Sequence, residues 1–112
     1  MAKDDMHMIA YKVLSYLYSC LKLGDAPDEA VYSHDGTLFK IPESYWVAVM
    51  EELVAKGYIV GFKTQGTWGG PQIVVRNEPR ITMDGVEYLQ ENSMMRKAAN
   101  ALKEAKDTIP FL

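Results

Sequence analysis

Between Met6 and Leu23 the apolar residues return at helical spacing, with Met6, Ala10, Val13, Leu17 and Cys20 or Leu21 on one face. Met8, Tyr11 and Tyr18 form a second stripe on another side, which leaves this helix little polar surface. A helix of that kind is sandwiched between two layers or used in an interface. Gly24 is placed to end it. Asp25-Ala26-Pro27-Asp28-Glu29 then opens a short second helix that ends near Ser33. Aspartate can cap, proline is tolerated in the first turn, and acids suit the positive end of the dipole. His34-Asp35-Gly36 reads as a turn, and Thr37 to Ile41 as a short edge strand.

Pro42-Glu43-Ser44 opens a third helix running to about Lys56. Its inward face is Trp46, Val49, Met50, Leu53 and Val54, and its outward face is Ser44, Tyr45, Ala48, Glu51, Glu52 and Ala55. Gly57 stops it, and the chain passes at once into Tyr58-Ile59-Val60-Gly61-Phe62, which is β-branched and aromatic. A glycine-rich loop from Gln65 to Pro71 leads to a second strand, Gln72 to Arg76, and the pair reads as a hairpin. Asn77 to Arg80 is expected to be irregular. Thr82 is the expected N-cap of a fourth helix burying Met83, Val86 and Leu89 beside Tyr88. Asn92-Ser93 marks a stop and a new cap, followed by a last helix with Met95, Ala98, Ala99, Leu102 and Ala105 on one stripe.

Three helices followed by a two-stranded hairpin is the order of a winged helix. The expected architecture is therefore α+β: a winged helix-turn-helix with a β-hairpin wing over about 58–76 and a C-terminal helical extension over about 82–109. The tightest local signal is Met50-x-x-Leu53-x-x-x-Gly57-Tyr58-Ile59, in which a helix anchored on the core exits abruptly into a strand that returns across the same core. The competing reading is an unrelated α+β domain that happens to contain one helix–hairpin unit. At 112 residues either one makes a single domain, 1–112, large enough for one core without staples.

Composition narrows the setting. Cys20 is the only cysteine, so no internal disulfide forms, and a lone thiol in an apolar helical pattern suits a reducing compartment. The longest run free of charge, Thr64 to Val75, holds three glycines and a proline and falls short of the roughly 20 apolar residues that a bilayer requires. Acids at Asp4 and Asp5 stand where a secretion signal has a basic start. The expectation is a cytoplasmic protein. The net charge is −3, split as −4 over residues 1–61 and +1 over residues 62–112. A generic basic nucleic-acid binder has a different balance, so any DNA contact must come from a local patch.

The C-terminal third resembles the small bacterial and phage-associated YjcQ family of winged-helix proteins. The matching residues are Ile81-Thr82, Gly85, Tyr88-Leu89, Glu91-Asn92, Lys97-Ala98, Lys103-Glu104, Lys106-Asp107 and Ile109, with the Gly57-Tyr58-Ile59 exit similar too. Gly24 to Pro42 matches less clearly. The resemblance implies the fold and a phage or mobile-element provenance; the family is essentially uncharacterised and lends no catalytic residue and no ligand.

DNA-binding winged helices put the third helix in the major groove and the wing on backbone or minor groove. Here the third helix offers Ser44, Tyr45 and Ala48 with the acids Glu51 and Glu52, and a solvated or protein-binding face is the stronger reading of it. The wing is friendlier, with Lys63, Arg76 and Arg80 opposed by Glu78. Three neutralised phosphates give a salt slope of about −3 per protomer, a weak affinity that a homodimer would double. Met8, Tyr11, Tyr18, Met95 and Leu102 are the candidate dimer interface. Trp68 at the hairpin tip either anchors an interface, stacks on a base, or folds back onto Phe62, which is the favoured outcome.

No cofactor is implied. His7, His34 and Cys20 lack metal-ligand spacing, and two histidines with one thiol fall short of a four-ligand site. Gly66, Gly69 and Gly70 precede no helix and so lack the dipole that a phosphate loop exploits. The functional expectation is a DNA-binding regulator or accessory factor acting as a dimer. The alternative is a protein-interaction adaptor of the same fold; an enzyme is a distant third.

Overall fold

The computed structural model describes residues 5–92. They form four helices, α1 (Met6–Leu23), α2 (Glu29–Tyr32), α3 (Glu43–Ala55) and α4 (Met83–Glu91), and two strands, β1 (Ile59–Thr67) and β2 (Gly70–Ile81). The strands pair antiparallel as a two-stranded ribbon inserted between α3 and α4. The domain is therefore α+β.

Helix α1 is the central beam. It is capped by Asp5, whose carboxylate accepts the His7 backbone N–H at 2.8 Å, and it ends at Gly24. Half of its residues are buried, including Ile9, Val13, Leu14 and Leu17, because β2, α3 and α4 all pack against it. Of the two outcomes the sequence allowed for such a helix, sandwiching is the one observed. Met8 and Tyr11 are each only 2% exposed within the single chain. Both belong to the interior, which corrects their expected place in a dimer interface.

Helix α2 is one turn, started by the Asp28 carboxylate on the Ala30 N–H and tethered to α1 where the Tyr16 hydroxyl accepts the Asp28 N–H at 2.8 Å. The expected strand over Thr37–Ile41 is absent. The Thr37 and Leu38 N–H groups bond to the Ala30 and Val31 carbonyls, and the Ile41 N–H bonds to the His34 carbonyl, so this backbone is used up within its own loop. The His34 ring closes the same loop by donating from Nδ1 to the Ile41 carbonyl at 3.1 Å. Leu38, Phe39 and Ile41 are buried by this folding-over and so contribute to the core without a sheet.

Helix α3 buries Trp46, Val47, Val49, Met50 and Leu53. Trp46 Nε1 donates to the Tyr32 carbonyl at 2.9 Å, and Tyr32 meets the edge of Phe62 with ring centroids 5.8 Å apart, so α2, α3 and the hairpin share one aromatic joint. Burial pushes the Tyr32 hydroxyl up to about 12. Val54 is exposed because it lies in the last turn, where α3 is already leaving the core. The exit is a Schellman arrangement: Gly57 N–H bonds to Val54 O, Tyr58 N–H bonds to Leu53 O, and Gly57 takes φ +74°, which a side chain would resist. Ile59, 1% exposed, then starts β1 on the core that Met50 and Leu53 have just filled.

The hairpin is longer than the sequence suggested, because Gln65–Thr67 and Gly70–Pro71 pair rather than loop. Its register runs from Ile59↔Ile81 and Val60↔Arg80 to Phe62↔Val75 and on to Thr67↔Gly70. Between those sections, residues 76–79 of β2 stand opposite Gly61 alone, forming a wide bulge. The expected irregularity over Asn77–Arg80 overlaps this bulge, but Arg80 is paired with Val60 and Arg76 is in the bulge instead. Thr82 closes the unit: it caps α4 through the Gly85 N–H and donates its hydroxyl to the Gly57 carbonyl, while its own N–H bonds to Tyr58 O. Hairpin base, α3 exit and α4 start are thus tied at one point. In α4, Leu89 is buried and Val86 partly so, but Met83 is 89% exposed, contrary to its expected burial. Met83 is the first helical residue and lies at the open rim of the α1–α4 groove.

Candidate functional site

Strand alternation divides the hairpin into two faces. Phe62 is buried and Ile73 packs on the core, so Phe62, Thr64, Ile73 and Val75 share the inward side. Lys63, Gln65, Gln72 and Val74 share the other side, away from the core, with Lys63 opposite Val74 and Gln65 opposite Gln72. Lys63, Gln65, Gln72 and Arg76 are all exposed. Arg80, opposite Val60 at the base of the ribbon, is exposed too and places Nη1 3.4 Å from the Ile81 carbonyl. Three cations thus face a single acid, Glu78, on the hairpin.

Trp68 and Gly69 make the two-residue tip, which is fastened by the Thr67 hydroxyl donating to the Gly70 carbonyl at 2.6 Å. The indole of Trp68 is fully exposed, at 108%. It does not fold back on Phe62, which corrects the expectation. By strand rise the tip lies about 17 Å along the ribbon from Lys63, and Phe62 already has Tyr32 against it.

On α3, Ser44 and Ala48 are exposed and Tyr45 is half-buried, beside exposed Glu51 and Glu52. The outward face of this helix is therefore small and acidic, as its sequence implied. Tyr18 is half-buried in a groove between α1 and α4 that it shares with Leu21, Arg80, Met83, Val86 and Glu87. Leu21 and Met83 in that groove are the exposed apolar residues that helical periodicity had turned inward. Met95 and Leu102 lie outside the described residues. Gln65 and Gln72 went unnoticed in the sequence because a glycine-rich stretch reads as loop; the alternation Lys63-x-Gln65 and Gln72-x-Val74 was the available signal.

The residues weighed for chemistry have local structural partners. His7 Nδ1 lies 3.1 Å from the Tyr88 hydroxyl, His34 holds its loop, and Cys20 is buried. Burial raises the Tyr88 hydroxyl above its ordinary range, with Tyr58 and Asp5 adding to the effect. Among the described residues no three His, Cys, Asp or Glu side chains are grouped to hold a metal ion, and no helix is long and apolar enough to cross a membrane.

These features define a small α+β domain whose exposed, cation-bearing part is a projecting β-ribbon. The chain belongs to the YjcQ family: the model of that family, described as YjcQ protein, matches residues 11–108. The match takes in α2 and the loop before α3, the stretch where the resemblance was weakest. No curated protein and no solved structure matches the chain. Two of the residues that carried the resemblance have packing roles: Gly57 makes the α3 exit, and a Cβ on Gly85 would run into the Tyr58 carbonyl and the Ile81 side chain.

Proposed function

We propose that this domain is a winged helix that binds duplex DNA through its hairpin, as a regulator or accessory factor and not as an enzyme. The observation that carries the proposal is Trp68, fully exposed on a paired and fastened tip, at the end of a ribbon where Lys63, Arg76 and Arg80 outnumber Glu78. A rigid exposed indole offers a large flat surface at low entropic cost, and cations along the same ribbon neutralise phosphates. The direct passage from α3 through Gly57 into β1 supports the winged-helix assignment. Ser44, Tyr45 and Ala48 would approach the backbone, while Glu51 and Glu52 keep α3 from deep entry into a groove. Pairing of two copies would double the phosphate contacts, provided that the interface leaves Arg80 uncovered. The phage or mobile-element setting rests on the family resemblance alone.

A second reading is favoured by the exposed Glu51–Glu52 face: a protein-interaction adaptor using Trp68 as its anchor. Tryptophan emission separates the two. Trp46 is buried and hydrogen-bonded, so red-edge emission reports Trp68. Adding random-sequence duplex at about 50 mM salt is expected to quench that component, and Trp68→Ala is expected to weaken binding about tenfold while leaving thermal stability unchanged. Unchanged red-edge emission with duplex in excess would remove the DNA reading and leave the adaptor.

A further inference from the structure

We infer that the outward face of the hairpin reads base edges in the major groove, with Gln65 and Gln72 as an amide pair that selects adenine. The inference rests on the proposed DNA-binding reading and adds sequence preference to it.

The register sets Gln65 directly opposite Gln72, and alternation sends both away from the core. Directly opposed residues in an antiparallel pair have Cβ atoms roughly 5 Å apart, so the two amides can address neighbouring base pairs, which rise about 3.4 Å per step. A primary amide carries a donor and an acceptor side by side, the complement of adenine N7 and N6 in the major groove. Among the described residues neither amide has a hydrogen-bond partner, so both are available. Val74 lies on the same face opposite Lys63, as an apolar neighbour suited to a thymine methyl.

Shape points the same way. Two paired strands about 4.8 Å apart enter a major groove about 12 Å wide without deforming it, whereas a minor groove about 6 Å wide would have to be opened to admit them. The paired positions from Lys63 to Thr67 span about 14 Å, the rise of about four base pairs. Lys63 and Arg76, farther from the tip than the amides, stand where the ribbon leaves the groove and meets phosphate. Helix α3, with Glu51 and Glu52 outward, is the poorer reader of base edges.

The test compares binding of the full chain to two short duplexes, one built only of A·T pairs and one only of G·C pairs, each titrated with salt. Wild type is expected to prefer A·T by at least about tenfold. Gln65→Ala/Gln72→Ala should reduce the preference to within about twofold, with the salt slope unchanged, because both residues are exposed and neither neutralises phosphate. Gln65→Arg/Gln72→Arg should turn the preference toward G·C, a change that a merely structural role would not produce. A preference kept by the alanine pair would place the readout on the narrow minor groove of A·T sequences and overturn the inference. Equal binding of both duplexes by wild type would overturn it too while leaving the DNA-binding reading intact. Failure of wild type to bind either duplex at low salt would overturn both.

Discussion

Replacing Gly61 with valine is expected to cost the domain at least about 3 kcal/mol and to lower the melting temperature by more than about 12 °C. Gly61 takes φ +91°, and a Cβ there would lie 2.6 Å from both the Glu78 carbonyl oxygen and Pro79 Cα. Those are backbone atoms of the bulge, so no side chain can swing aside to make room. Backbone strain and overpacking add, and valine brings the branching least tolerant of a left-handed conformation. The bulge itself is what the glycine makes possible. Four residues of β2 loop past one residue of β1, which moves the pairing from Val60↔Arg80 to Phe62↔Val75 and sets Arg76 and Glu78 on the shoulder of the ribbon. Pro79, which has no N–H for a ladder, is accommodated there. Gly66 is the control: its φ is not positive and a Cβ would meet nothing within 4 Å, so Gly66→Ala should change stability by less than about 0.5 kcal/mol. Urea unfolding of the three proteins side by side checks both values. Gly61→Val with wild-type stability would mean that the bulge is not formed.

The second large effect concerns binding. Arg76→Ala/Arg80→Ala should flatten the salt dependence of duplex binding from a slope near −3 per protomer to one near −1, because only Lys63 then remains on the hairpin to release a counterion. Counted for a single protomer, raising salt from about 50 to about 200 mM should weaken wild type about 50-fold and the double variant only about 4-fold. Both arginines are exposed, and among the described residues Arg80 makes only a long bond to its neighbour's carbonyl, so the unfolding curve should hardly move. Fluorescence anisotropy of a labelled duplex across a salt series gives both slopes. Parallel slopes for the two proteins would place the phosphate contacts elsewhere on the surface.

The parts of this fold that were legible in the sequence are those where local chemistry and tertiary packing agree. The α1 span and its glycine stop, the capping threonine at 82, and the passage from Leu53 through Gly57 to Ile59 needed only helical period and the left-handed tolerance of glycine. The hairpin is legible in the sequence, but at less than its full length. Gly66, Gly69, Gly70 and Pro71 have poor strand propensity, and the ladder there comes from cross-strand pairing that no single segment reveals. The false strand at Thr37–Ile41 has the converse origin: an apolar run suited to a strand is bent back on α2 by backbone bonds from Thr37 and Leu38. Periodicity also located the stripes of α1 without saying what covers them, so Met8 and Tyr11 turned out to be core. The cations of the candidate site could be named from the sequence. The paired amides beside them could not, because facing depends on register and a shift of one residue turns every side chain over.

If the proposed function holds, the hairpin, and not α3, is where the partner binds. Amide chemical-shift mapping of the labelled chain with random-sequence duplex at low salt addresses it residue by residue. The shifts are expected to gather on Lys63, Gln65, Trp68 with its indole N–H, Gln72, Arg76 and Arg80, with smaller changes at Ser44 and Ala48. Shifts confined to Glu43–Ala55 with a silent hairpin, or no shifts at all, would contradict it.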